Sequence, residues 1–112
     1  MIYKPDYEIH TVSTAFDGTL CNGMWPGIGT PNHDLINLLI DYKHRGKTLI
    51  LDTHRQGFQL EQALEWCKNQ GLEFDYVNEN PPEVIDLYGY NPRKLWADMQ
   101  IDYHITNHFF KS

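Results

Sequence analysis

The sequence predicts an α/β fold built on a central parallel sheet. Short apolar or β-branched runs of strand length alternate with segments whose apolar residues recur at helical spacing. Nearly every segment closes on a Gly, Pro or Asn-containing turn. The 112 residues are enough for one domain and one core, without a separate cap domain. Hydrophobic residues at 41% and aromatics at 13% describe a globular chain rather than a disordered one.

The first strand is expected from about Ile9 to Phe16, a β-branched run stopped by Asp17-Gly18. A long loop follows through Asn22-Gly23, Pro26-Gly27 and Gly29 to Pro31. Connections of this length in a small domain are usually functional, and Met24, Trp25 and Ile28 fit either a lid over a pocket or surface packing. Thr30 or Asn32 caps a helix whose face is Leu35, Ile36, Leu38, Leu39 and Tyr42, with Gly46 as its stop. Residues 48–53 form a short apolar run of the kind found in buried parallel strands. Leu60, Ala63, Leu64 and Cys67 then repeat at helical period up to Gly71, with Trp66 at the border of that face. Phe74 to Val77 reads as a third strand, Pro82 opens a short helix through Leu87, and residues 97–105 form a last extended run.

The formal charge of −6 excludes the basic stripe that duplex nucleic acid or an anionic membrane requires. Lys43, Arg45 and Lys47 form the nearest approach to a cationic cluster and are expected to be a solvated helix end. Cys21 and Cys67 have no metal-ligand spacing, so both are expected as reduced thiols. MIYKPDYEIH lacks the apolar core of a signal peptide, and no apolar run reaches the roughly 20 residues of a membrane span. The expected location is the cytoplasm.

In parallel sheets, ligands bind beyond the carboxyl ends of the strands. The informative positions are therefore 15–19, 52–56, 78–80 and 102–104. Asn78, Glu79 and Asn80 fit either hydrogen bonding to a ligand or turn chemistry before Pro81. Tyr88, Tyr90 and Trp96 fit either base stacking or packing. His10, His33, His44, His104 and His108 share no ligand spacing.

The string F-D-G-T-L-C at Phe16–Cys21 resembles the haloacid-dehalogenase (HAD) phosphatases. The resemblance extends over nearly the whole chain through I-G-T-P-N, L-I-L-D-T-H-R, A-L-E-W-C-K-N-Q-G-L-E-F-D-Y-V-N-E-N, R-K-L-W-A-D and I-D-Y. It implies a three-layer α/β/α Rossmann-like HAD fold over residues 1–112 with no separate cap. It also implies a chemistry of four parts. One Asp attacks phosphorus, and a second Asp two residues on acts as acid and base. A Thr and a Lys hold the phosphoryl oxygens, and carboxylates after the last strand bind Mg²⁺.

The match at individual positions is partial. Asp17 stands at the acid/base position, Thr53 at the phosphate-holding position with Arg55 close behind, and Lys94 beside Arg93 at the position of the Lys. Asp102 remains of the terminal carboxylates, with Tyr103 where its partner belongs. The nucleophile position is Ala15, whose methyl group neither attacks phosphorus nor ligates a metal. Asp52 and His54 flank Thr53 where similar proteins have Trp and Cys; His54 fits either a ligand donor or a surface residue, and Asp52 is expected to point to the opposite face.

What the resemblance leaves is a phosphate-binding set, Phe16, Asp17, Gly18, Thr53, His54, Arg55, Asn78 and Lys94, beside a degenerate Mg²⁺ site at Asp102. The expected function is to bind a phosphorylated small molecule, a nucleotide among the candidates, without efficient hydrolysis, for sequestration or regulation. The alternative is a Mg²⁺-dependent phosphatase in which Ala15 replaces an original Asp. A third reading is an interaction module with a vestigial pocket.

Overall fold

Thr11–Thr14 (β1) and Thr48–Leu51 (β2) lie side by side in the middle of a four-stranded sheet. Tyr76–Val77 (β3) flanks β2, and Met99–Ile101 (β4) flanks β1. All three pairings are parallel, with Thr14 in register with both Leu51 and Ile101. Two helices, His33–His44 (α1) and Gly57–Asn69 (α2), supply the crossovers from β1 to β2 and from β2 to β3. The protein is therefore an α/β protein of Rossmann-like architecture. The computed structural model describes residues 9–82, 85, 86, 89 and 97–102.

Both crossovers step in the same direction across the sheet, so right-handed connections place α1 and α2 on one face. The core records this placement. Val12, Leu49 and Leu51 from the sheet join Leu35, Ile36 and Leu39 of α1 and Ala63 and Cys67 of α2 in one buried cluster. Ser13 and Ile50, register partners on β1 and β2, alternate to the other face and are buried as well. Both faces of the central strands are thus covered, which explains why their sequences are near-continuous apolar or small runs.

Helix α1 starts where the sequence places it. Asn32 Oδ1 accepts the Leu35 amide at 3.3 Å, and Asn32 Nδ2 donates to the Thr19 carbonyl at 3.1 Å. The helix is therefore tied to the loop that leaves β1. Gly46 just beyond its end has φ +85°, a conformation that a side chain would strain.

The cationic end of α1 is more than the solvated terminus that composition predicts. Lys43 Nζ pairs with Asp75 at 2.7 Å, and the second Asp75 oxygen accepts the Leu49 amide at 2.8 Å. Lys47 Nζ donates to the Ile9 carbonyl at 2.7 Å, and Arg45 pairs with Asp41 at 2.8 Å. Lys43, Asp75 and Lys47 thus fasten the amino-terminal edge of the sheet, while the Arg45–Asp41 pair stays within the helix end. Asp98 serves the same edge by accepting the amides of His10 and Thr11 at 2.8 and 3.1 Å.

The strands are shorter than the sequence predicts. β1 covers four residues of the expected 9–16, and β3 two residues of the expected 74–77. β-Propensity marks residues suited to a pleated surface, whereas the ladder ends where the neighbouring strand ends. β4 occupies 99–101 of the expected 97–105, of which 103–105 lie outside the described residues. Helical hydrogen bonds from the Ile85 amide to the Pro81 carbonyl and from Gly89 to Ile85 mark the short helix expected after Pro82. Among the described residues, no helix is long and apolar enough to cross a membrane.

Cys21 and Cys67 are both free and buried, as expected of reduced thiols. Burial, followed by the proximity of Cys21, pushes the Cys67 thiol up to about 12. Burial, followed by the Asp17 charge, also raises Cys21. Because a raised thiol holds its proton in the folded state and loses it in the unfolded one, its stabilising effect is complete below the ordinary thiol range and fades as pH climbs toward 12. Neither cysteine should react with a thiol reagent at pH 8 until denaturant is added, and the unfolding midpoint should fall between pH 9 and 11. Rapid labelling of Cys67 in the native protein would contradict this.

Candidate functional site

The chain leaves β1 toward α1 and β2 on one side, while β4 lies on the other side of β1. This reversal creates a topological switch point between the carboxyl ends of β1 and β4, the usual place for a ligand crevice. Ala15, the first residue after β1, stands there. Its amide donates to the Ile101 carbonyl at 2.9 Å, which extends the ladder and sets Ala15 alongside Asp102. Both are half-buried.

After Ala15 the backbone turns sharply. The Phe16 carbonyl accepts the amides of Thr19 and Leu20 at 3.2 and 3.0 Å, with Gly18 at φ +78°. Thr19 and Leu20 are buried, and Asp17 is left at the rim with 36% of its side chain exposed. The loop that follows is an ordered flap. Asn22 donates to Thr30 at 3.1 Å, Gly23 to Ile28 at 2.7 Å, and Asn32 back to Leu20 at 2.8 Å. Asn22 Oδ1 also accepts from the amide and hydroxyl of Thr30.

Two glycines allow the flap's arms to touch. A Cβ on Gly23 would lie 2.3 Å from the Ile28 carbonyl carbon, and one on Gly29 would lie 2.5 Å from Gly23 Cα, with Gly29 also at φ +81°. Gly23→Ala should therefore destabilise the protein by about 1–3 kcal/mol through forced backbone displacement. The check is a thermal melt together with the emission of Trp25, which an opened flap would leave wetter.

Arg55 organises this end of the molecule. Its side chain is fully buried, and it grips Asp17 in a fork, Nε to Oδ2 at 2.9 Å and Nη2 to Oδ1 at 2.7 Å. Nη2 also approaches the carbonyls of Pro26 and Gly27 at 3.3 and 3.4 Å, and Nη1 that of Gln59 at 3.5 Å. The guanidinium carbon lies 5.0 Å from the Phe16 ring centre and 4.7 Å from that of Trp25. Phe16 in turn packs edge-on against Trp66 at 5.6 Å. The buried charge is thus neutralised by one carboxylate and satisfied by three carbonyls and two rings. In this arrangement Arg55 joins the first loop, the flap and α2, and its donors face protein acceptors.

Thr53 and Asn78 also come together. The Thr53 amide donates to Asn78 Oδ1 at 2.8 Å, and Asn78 holds φ +57° while its own amide reaches the Leu51 carbonyl at 2.8 Å. This is turn chemistry that completes the edge beyond β2. The Thr53 hydroxyl accepts the Arg55 amide at 3.1 Å. Asp52 and His54 are exposed on either side of the half-buried Thr53, and Asn80 is buried and hydrogen-bonded.

Of the residues expected to form a site, Ala15 and Asp102 lie side by side at the carboxyl ends of β1 and β4, whereas Asp17 is held by Arg55 beyond β2. Phe16, Gly18 and Arg55 surround Asp17, and Thr53 and Asn78 stand at the end of β2. Lys94, with Arg93 and Tyr103, lies outside the described residues, as do Tyr88, Tyr90 and Trp96. Among the described residues, no three His, Cys, Asp or Glu side chains gather to hold a metal ion. The participation of Trp25 and Trp66 was not legible in the sequence, because aromatic residues at those spacings carry no signal for a partner dozens of residues away.

No family model and no curated protein matches the chain. Among solved structures, a conserved protein coded by a Bacteroides thetaiotaomicron locus superposes with a TM-score of 0.68 at 35% sequence identity. The match covers 81% of this chain and 72% of that one. At that identity over most of both chains, the protein belongs to the same family as this conserved Bacteroides protein.

Proposed function

We propose that the protein binds a phosphorylated small molecule, nucleotides among the candidates, at the carboxyl edge of its sheet and holds it without efficient hydrolysis. On this reading it is a degenerate, capless HAD-like protein of three layers that works in the cytoplasm by sequestering or presenting its ligand. The observation that carries the reading is the methyl group of Ala15 at the β1/β4 switch point, two residues before an Asp17 that is already held by Arg55. A carboxylate would stand there in a phosphatase, as attacking group and metal ligand. With it absent, an anion entering the crevice meets less negative charge.

The Thr53 hydroxyl, the backbone around His54 and the Lys94 ammonium are the groups assigned to the phosphoryl oxygens. Mg²⁺ has a minor place in this reading, since Asp17 spends both oxygens on Arg55 and Asp102 is the remaining carboxylate of its pair. Two buried free cysteines accord with a reducing compartment.

The test is ³¹P NMR of a panel of nucleotides and sugar phosphates with the protein and Mg²⁺. Shifted or broadened ligand signals without growth of inorganic phosphate are the expected result and would identify the ligand class. A growing phosphate signal would favour the phosphatase reading, and an unchanged panel would end the binding one.

A further inference from the structure

Among the described residues, the large apolar side chains left exposed are Met24 (88%), Trp25 (60%) and Phe58 (69%). All three belong to the flap or to the first turn of α2, the two segments that Arg55 binds together through Trp25, Pro26, Gly27 and Gln59. Apolar exposure gathered in one place on a small domain marks a contact surface more often than chance.

Between flap and helix runs a groove of about 540 Å³, with Ile28 on one wall and Phe58, Glu61, Glu65 and Trp66 on the other. The helix residues recur at intervals of three and four, so they form one stripe of α2, distinct from the face that buries Ala63 and Cys67. Glu61 and Glu65 stand exposed on that stripe, no Lys or Arg lines the groove, and neither glutamate enters an ion pair among the described residues.

We propose that this groove is a docking surface for a cationic amphipathic helix of a partner protein. Phe58, Trp66 and Ile28 offer the apolar floor on which an i, i+3, i+4 row of side chains packs. Glu61 and Glu65 select Lys or Arg at its margins and steer approach to a chain of charge −6. The stripe from Phe58 to Asn69 rises roughly 16 Å, the length of three helical turns, which sets the size of the partner segment. A second copy of this chain fits poorly, because it brings the same acidic groove and a like net charge of −6. The proposal does not depend on the phosphate-binding reading.

The probe is an 18-residue peptide with leucine at helical spacing and lysine elsewhere, compared with its glutamate counterpart, by calorimetry at physiological salt. The lysine peptide should bind and the glutamate peptide should not. Phe58→Ala should weaken binding at least ten-fold. Glu61→Lys with Glu65→Lys should abolish it and admit the glutamate peptide. The same charge change at Asp41 and Glu73, near the other edge of the sheet, should leave it within two-fold. The proposal is overturned if neither peptide binds, if the Asp41/Glu73 variant loses binding equally, or if sedimentation shows wild-type dimers that Phe58→Ala dissolves.

Discussion

Arg55→Ala should lower the unfolding free energy by about 2–5 kcal/mol, since it empties a fully buried site and unpairs a partly exposed carboxylate. The reason lies in how much converges on this side chain. It is fully buried, forks onto Asp17, approaches three carbonyls and stacks against Phe16 and Trp25. Its loss leaves a cavity, an unpaired Asp17 and a flap without its latch.

Arg55→Lys should recover little of that stability, since an ammonium offers neither the planar fork nor the stacking surface. Asp17→Asn should cost a comparable amount, because it leaves the fully buried guanidinium without its counter-charge although one amide acceptor remains. Urea titration of the four proteins, followed by far-UV dichroism and by tryptophan emission, measures these differences. A loss below about 1 kcal/mol for Arg55→Ala would mean that the flap and the first loop are held by other contacts.

Ala15→Asp in the presence of Mg²⁺ should raise phosphate release at least about 100-fold above the parent protein, a change of roughly 2.7 kcal/mol in barrier height. The substitution puts a carboxylate at the end of β1 beside Asp102 and two residues before Asp17. Two carboxylates side by side repel, so the variant should be less stable without a divalent ion and should recover with it. Tyr103→Asp added to the first change should increase turnover again by completing the terminal pair.

The two readouts separate two ideas. Absence of phosphate release from both variants, with ligand binding intact by ³¹P NMR, would keep the crevice as a binding site and reject its descent from a phosphatase. Appearance of turnover would support the phosphatase descent and assign the absence of activity to the side chain at position 15.

The positions of the elements were legible because their causes are local. Asn32 and Gly46 bound α1 through a cap and a positive φ, and both features belong to single residues. The apolar repeat of Leu35, Ile36, Leu39 and Tyr42 faces the core because a helix's period leaves it no other face. The parallel sheet followed from the alternation of strand-length and helix-length segments. The cationic run does close α1 as a largely exposed helix end, but the partners of Lys43 and Lys47, 32 and 38 residues away, were not legible in it.

The sequence by itself determined the α/β class, the order of the elements, the loop that turns at Gly18, and the methyl group that stands at position 15. The tertiary structure decided what the charged residues of that loop do. Asp17 and Arg55 lie 38 residues apart, in the loops that follow two strands paired in register. Their pairing is a property of a buried place with low dielectric, where a guanidinium must find a carboxylate. The same folding sets Trp25 against Arg55 and opens a groove between Ile28 and Phe58. Periodicity and propensity describe each segment against its own neighbours, while burial and charge pairing are settled by neighbours that arrive only when the chain closes on itself.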